Sequence, residues 1–239
     1  MQKRGQVTVF VIVGIIIFAI VGLIFYTQDF IIKKEVIPPQ VQPIYNYIES
    51  CVQSTLLDSI RILGIQGGYI VTPSTSIKTD FSTIAYGHYQ GKDILPPIKK
   101  MQDELSLYLR ATIPLCFNTE DFPGFTITQS DIKAKTTIKG NFVSASITYP
   151  ITVSKGDSTH RLESKYNAEI PIRLGSIHNT ANDIIENEIS NPNTIELTFL
   201  ANLDYDVAIL THEDSLIYSI TDPNSVIEDI PYTFMFASK

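Results

Sequence analysis

The sequence predicts an α+β protein in which an N-terminal transmembrane helix precedes an extracytoplasmic domain of amphipathic helices packed on a mainly antiparallel sheet. Three observations lead to this prediction. Residues 7–26 carry no charged side chain. Apolar residues recur at helical spacing in three later segments, and they alternate with polar residues over much of the second half of the chain. Because these helical and strand patterns come in blocks, α+β is favoured over an alternating α/β sheet.

The apolar segment near the N-terminus determines where the sequence places the protein. Residues 7–26 read VTVFVIVGIIIFAIVGLIFY, and a helix of this length spans roughly 30 Å, the thickness of the hydrocarbon core of a bilayer. Lys3 and Arg4 precede it, which favours a cytoplasmic N-terminus. We therefore expect a single-pass anchor over residues 7–28, with the lipid bilayer as partner and the residues that follow the anchor outside the cytoplasm. The predicted anchor residues are Val7, Phe10, Gly14, Phe18, Gly22 and Tyr26.

The leader before this segment carries a second signal. Lys3, Arg4, Gly5 and Gln6 stand directly before the apolar run, and this arrangement resembles the class III signal peptide of archaeal type IV pilin-like proteins. The resemblance covers about 25 of the 239 residues. It implies a prepilin-peptidase cut between Gly5 and Gln6 that leaves the hydrophobic helix on the mature chain. The sequence departs from the pilin pattern at the fifth position after the cut, where Phe10 replaces the Glu that helps pilin subunits register.

Charge and cysteine content fit an exposed location. The formal net charge is −7, and it becomes −9 once Lys3 and Arg4 are left out, so we expect no nucleic-acid partner. Cys51 and Cys116 are the only cysteines. In an oxidising compartment such a pair most simply forms one disulfide, and buried free thiols are the alternative.

The predicted organisation is a basic leader over residues 1–6, the transmembrane helix over 7–28, a stalk over 29–42 and a domain over 43–239. A subdivision of the domain near residue 120 is a second possibility. The stalk contains Pro38 and Pro39, which stop a helix that leaves the membrane.

Three amphipathic helices are expected in the domain. The first covers about 43–65 and ends at Gly67 and Gly68, since glycine readily adopts the left-handed conformation of a helix cap. The second begins after Pro97 and extends to about Ala111. The third begins near Leu174 and ends before the sequence Asn191-Pro192-Asn193, which breaks helices.

Residues 72–92 have no steady periodicity and are rich in Ser, Thr, Gly and Tyr. We interpret them as a long surface excursion that follows a short strand over Tyr69–Val71. Tyr69, Tyr86 and Tyr89 would then either form a binding surface or cover the flank of the domain.

From Phe125 the period of apolar residues changes to two, which predicts strands. One long strand is expected over 143–153, where Pro150 indicates an edge position or a bulge. Another covers about 159–172, and the last expected strands are Tyr205–Leu210, Leu216–Thr221 and Tyr232–Phe236.

The sequence contains no nucleophile elbow, His-Glu-x-x-His helix, Walker loop or dinucleotide fingerprint. Asp204, Asp206, Glu213 and Asp214 could offer oxygen ligands to Ca²⁺, but they lack EF-hand spacing and are simply expected in solvated turns. His160 lies near a predicted turn, as does His212. We expect no cofactor and no metal site.

Three functions follow from these observations. The first is a membrane-anchored cell-surface protein with a structural or binding role and no catalysis, whose partners would be copies of itself or other surface proteins that meet its helix or its ectodomain. The second, implied by the pilin resemblance, is a filament subunit whose copies pack through the apolar helix, where Gly14 and Gly22 allow close approach. The third is a tethered extracytoplasmic hydrolase, which would need titratable residues gathered in a cleft.

Overall fold

The computed structural model describes residues 13–18, 37–162, 165–192 and 194–239. Residues 13–18 are helical, and residues 37–239 form a compact unit of their own. This unit is α+β, with more strand than helix.

The fold class predicted from the sequence is wrong in its transmembrane helix. In the part of the chain that the structure describes, no helix is long and apolar enough to cross a membrane. Within the predicted span 7–28, the described residues are 13–18, a helical stretch of about 9 Å that includes Gly14 and Phe18. The other residues of the predicted anchor and processing site lie outside the described residues: Gly5, Gln6, Val7, Phe10, Gly22 and Tyr26.

Four helices and twelve strands are described in the unit. The helices are α1 (Gln42–Ile65), α2 (Ile98–Cys116), α3 (Leu174–Ser190) and α4 (Leu197–Ala201). The strands are β1 (Ser76–Lys78), β2 (Thr83–Tyr89), β3 (Lys92–Asp93), β4 (Thr126–Gln129), β5 (Lys133–Ile138), β6 (Val143–Thr148), β7 (Ile151–Lys155), β8 (Ser158–Leu162), β9 (Lys165–Ile170), β10 (Asp206–His212), β11 (Ser215–Ile227) and β12 (Ile230–Ser238).

Helix α1 is the centre of the fold. Proline occupies its first turn, where no backbone donor is needed, and its end is capped where Gly68 N donates to Leu63 O at 2.8 Å. Gly67 and Gly68 both have positive φ, so the predicted glycine cap is confirmed. The helix packs against α2 and against strands of two separate sheets, β9 and β12. Its apolar residues therefore join one core that both sheets and the helices share.

Helix α1 approaches the second sheet so closely at Gly64 that there is no room for a side chain at this position. A Cβ atom at Gly64 would lie 2.6 Å from the carbonyl oxygen of Thr233 in β12 and 2.7 Å from the hydroxyl of Tyr232. Glycine here costs some helix propensity but lets the backbone of α1 contact the strand.

The first sheet system is a bent meander. Strands β4, β7 and β8 form one antiparallel sheet, and β5, β6 and β9 form another. The chain passes from one sheet into the other between β4 and β5, between β6 and β7, and between β8 and β9. The single strand predicted over 143–153 is therefore wrong: it is broken at Pro150, which has no N–H to donate and whose carbonyl accepts from Ser130 N at 3.1 Å.

The strand predicted over 159–172 is likewise two strands, β8 and β9, which belong to different sheets. Apolar residues keep the same alternating phase on both sides of each break, although Ser164 interrupts them at the second, so a period of two could not reveal where the chain changes sheet. The meander keeps one face on the core: Ile147, Tyr149 and Ile151 are fully buried.

The second sheet has the order β1-β2-β12-β11-β10, with β3 paired to β2. Strands β2 and β12 are parallel, and the other described pairs of this sheet are antiparallel. The strands predicted near 205, 216 and 232 are confirmed as β10, β11 and β12.

The interpretation of residues 69–92 is wrong. Tyr69–Val71 is not a strand, and the supposed surface excursion contains β1, β2 and part of β3. Strand β2 is central, with Ile84, Ala85 and Tyr86 buried. A strand covered on both faces does not alternate, and Ser, Thr and Gly in this segment hide the remaining apolar signal.

Candidate functional site

A groove of about 590 Å³ opens at one end of the second sheet. Its lining comes from the β2–β3 turn, the end of α3, the segment after α3, the β10–β11 turn and the end of β12. Ile189, Pro192, Ile195 and Leu216 supply apolar surface to it. We call it the α3–β12 groove.

Local turn chemistry places the chain around the groove. The β2–β3 turn uses Gln90 and Gly91, both with positive φ, so that Tyr89 pairs directly with Lys92. The β10–β11 turn uses Glu213, which has φ of 53°, and Asp214. These short turns hold the strand ends close to the C-terminal end of α3.

A polar cluster forms one wall of the α3–β12 groove. Glu188 accepts a hydrogen bond from the Tyr218 hydroxyl at 2.6 Å and another from the Ser238 hydroxyl at 2.6 Å. His88 Nδ1 lies 2.9 Å from Ser238 Oγ and 3.5 Å from Glu188 Oε2. The cluster thus joins α3 to β2, β11 and β12.

The direction of these hydrogen bonds decides what the cluster can do. Since the Ser238 hydroxyl donates to Glu188, its oxygen accepts from His88 Nδ1. A serine nucleophile instead needs a base that takes its proton, with an acid on the opposite ring nitrogen. Here Ser238 and Glu188 share one side of the imidazole, and His88 Nε2 is buried without a partner among the described residues. Ser238 is also buried, with 4% exposure.

Tyr218 remains a donor within this cluster. Burial raises the pKa of its phenol, and the hydrogen bond to Glu188 and the charge of Glu188 raise it further. The protonated hydroxyl therefore supplies a hydrogen bond to the carboxylate throughout the physiological pH range.

The three tyrosines of the predicted surface excursion are buried or half-buried in this structure. Tyr86 is buried, hydrogen-bonds with Ser215 at 2.8 Å and contacts the ring of Tyr89 edge to face at 5.1 Å. Tyr69 is half-buried near α2. The alternative, tyrosines that cover the flank of the domain, describes them better.

The predicted disulfide is confirmed. Cys51 in the middle of α1 and Cys116 at the end of α2 are bonded, with their Cα atoms 6.2 Å apart. It ties together the two longest described helices, which also pack against each other.

The acidic residues considered as calcium ligands lie in two places. Asp214 forms an ion pair with Lys239 beside the α3–β12 groove, while Asp204 and Asp206 flank Tyr205, whose ring lies 4.7 Å beneath the Arg173 guanidinium. Within the described residues, no group of three or more His, Cys, Asp or Glu side chains could hold a metal ion.

A buried ion pair between Arg173 and Asp222 was not predicted from the sequence. Arg173 donates twice to Asp222, at 2.8 and 2.5 Å, and Asp222 is fully buried in β11. Burial alone would raise the pKa of Asp222, but hydrogen bonds from Arg173, Ser225 and the Asn224 backbone outweigh it and lower that pKa. These contacts hold the irregularity between Asp222 and Val226 in β11.

The buried position of His178 in α3 was likewise not predicted from the sequence. The ring is buried, its Nε2–H donates to Pro96 O at 2.8 Å, and Asn182 donates to its Nδ1 at 3.3 Å. Burial lowers the pKa of His178. Its place in the helical apolar stripe was the available signal that this histidine is part of the core.

Neither a protein-family model, nor a curated protein, nor a solved structure matches this chain.

Proposed function

We propose that residues 37–239 act as an extracytoplasmic domain that works by binding, without catalysis. The Cys51–Cys116 disulfide supports the location, because such bonds persist in oxidising compartments and are rare in the cytosol. The acidic composition supports a partner other than nucleic acid.

The observation that carries the binding role is the α3–β12 groove. It combines apolar surface with a polar wall whose carboxylate and hydroxyl groups are already hydrogen-bonded to one another. The apolar residues beside this wall are partly exposed: Ile189 by 39% and Ile195 by 41%. A mainly apolar ligand, or the apolar side chains of a partner, would bury them.

Site-specific photo-crosslinking in the native cell tests this role. A benzoyl-phenylalanine in place of Ile195, which lines the groove, should give a discrete crosslinked product. The same group in place of Leu197 is the control, since Leu197 is more exposed, at 69%, but does not line the groove. Equal crosslinking from both positions, or from neither, would contradict binding in the groove.

A hydrolase is the second candidate, because Ser238, His88 and Glu188 lie together beside the groove. The hydrogen-bond directions argue against it. We expect the purified chain to hydrolyse no small ester faster than the Ser238→Ala variant does. An activity that this substitution abolishes, while the variant stays folded, would overturn the non-catalytic role.

A further inference from the structure

A second concave surface lies between α2 and the edge of β5, away from the α3–β12 groove. Two adjoining openings of about 480 and 750 Å³ share Leu107, Arg110 and Ala134 in their lining. They follow α2 from Lys99 to Ala111, a distance of about 18 Å along the helix axis. We call this surface the α2–β5 groove.

The edge of β5 is only partly covered by the helix. Side chains of α2 take two of its outward N–H groups: Thr136 N donates to Ser106 Oγ at 3.1 Å, and Ile138 N donates to Gln102 Oε1 at 2.9 Å. Outward groups recur at every second residue of an edge strand. Ala134 therefore directs its N–H and C=O into the groove, where no described residue pairs with them.

The charge of the α2–β5 groove is opposite to that of the chain. Arg110, Lys133 and Lys135 line it, are exposed, and form no ion pair with a described residue. Lys99 also lines it but is paired with Asp103. Asp131 also lines the groove, so its four cations outnumber the two carboxylates of Asp103 and Asp131 by two. In a chain with net charge −7, this local excess of positive charge attracts anionic groups.

We propose that the α2–β5 groove binds an extended acidic segment of a partner protein. The backbone of the segment pairs with Ala134, its carboxylates meet Arg110, Lys133 and Lys135, and an apolar side chain covers Leu107, which is 59% exposed. About five extended residues match the length of the groove.

The lining favours a peptide over an anionic polysaccharide. A free N–H and C=O on one strand edge match the backbone of another strand, whereas sugar rings are commonly held by aromatic side chains. The residues of the α2–β5 groove include no aromatic ring.

Fluorescence polarisation with the full chain tests the proposal. The probe is a labelled hexapeptide in which four Asp or Glu residues flank a Leu-Val pair. One control peptide carries Asn and Gln instead, and a second carries proline in place of the valine, so that it cannot donate to the carbonyl of Ala134. The acidic peptide should bind, and each control peptide should bind at least about tenfold more weakly.

Charge reversal identifies the surface. The Lys133→Glu/Lys135→Glu variant should lose about tenfold or more in affinity for the acidic peptide, because repulsion replaces attraction. Lys78→Glu is the control, since Lys78 is an exposed lysine on β1, an edge strand of the second sheet that lies outside the α2–β5 groove. It should change the affinity by less than about twofold.

Three results would overturn the proposal: no binding of the acidic peptide, equal binding of the proline peptide, or equal losses in the two protein variants. Binding of an alginate oligosaccharide in preference to the peptide would assign the groove to an acidic glycan instead. Because the crosslinking at Ile195 concerns a different surface, the failure of either experiment leaves the other interpretable.

Discussion

At the scale of single residues, Glu188 is the most connected polar side chain of the α3–β12 groove. Its carboxylate is satisfied in the fold because Tyr218 and Ser238 donate hydrogen bonds to it and His88 Nδ1 lies 3.5 Å from Oε2. Removing it would leave those donors without a partner.

Glu188→Ala should lower the free energy of unfolding by about 3 kcal/mol, since buried donors that lose a charged acceptor keep their full desolvation cost. Glu186→Ala is the control, because Glu186 is exposed on the same helix; it should change that free energy by less than about 0.5 kcal/mol. Urea unfolding measures both. Similar values for the two variants would mean that the cluster contributes little to stability.

His178 makes the stability depend on pH. Its pKa in the folded protein lies below the ordinary value of about 6.5, chiefly because the ring is buried. Between the folded pKa and about pH 6.5, the unfolded chain therefore binds more protons than the folded protein does. The contribution of His178 is fully present above about pH 6.5 and is lost as the pH falls through the folded pKa.

Unfolding free energies at about pH 7.5 and about pH 5 test this effect. His178→Gln should reduce the stability lost between the two values, although it lowers stability at the higher pH by about 1–2 kcal/mol because Pro96 O loses its donor. If His178→Gln retains the full pH dependence, the titrating group lies elsewhere.

At the scale of elements, helix α2 protects the edge of β5. Gln102 and Ser106 accept from two outward N–H groups of the strand, and Thr136 Oγ1 donates to Gln102 O at 2.6 Å. An uncovered edge strand invites unwanted pairing with other chains. The same covering stops short of Ala134, which is why the α2–β5 groove exists.

Gln102→Ala should cost about 1–2 kcal/mol and speed hydrogen exchange at Ile138, whose buried N–H would lose its acceptor. Asp103→Ala removes only an exposed ion pair with Lys99 and should cost less than about 0.5 kcal/mol. Unchanged exchange at Ile138 in Gln102→Ala would show that water replaces the side chain without loss.

Elements with one buried face were predicted well from the sequence. Helices α1 and α3 and strands β10 to β12 follow a clear period, because one side of each meets the core and the other meets solvent. Strand β2 was missed since it is covered on both faces, and the extension of α2 to Cys116 was missed because Pro114 lies inside it.

At the scale of the whole molecule, the disulfide closes a loop of 65 residues between α1 and α2. In the chain-entropy account, a loop of this length contributes about 4 kcal/mol by restricting the unfolded chain. This is a large share of the stability expected for a domain of ordinary size.

The Cys51→Ala/Cys116→Ala variant should unfold at a lower urea concentration, with about 4 kcal/mol less stability than the oxidised protein. A reductant should lower the stability of the unsubstituted protein to about that of the variant. It should leave the stability of the variant unchanged, which is the internal control. In native cells, maleimide labelling after unfolding should find both thiols blocked. Free thiols there would contradict an extracytoplasmic location.

The sequence by itself determined which segments have one apolar face, the overall acidity and the pair of cysteines, because these depend on residue type and spacing along the chain. The tertiary structure decided the sheet order, the break of the meander at Pro150, the Arg173–Asp222 pair and both grooves. These features join residues far apart in sequence, such as Glu188 with Ser238 or Gln102 with Ile138. Local periodicity carries no information about such pairings, since they depend on how whole elements pack.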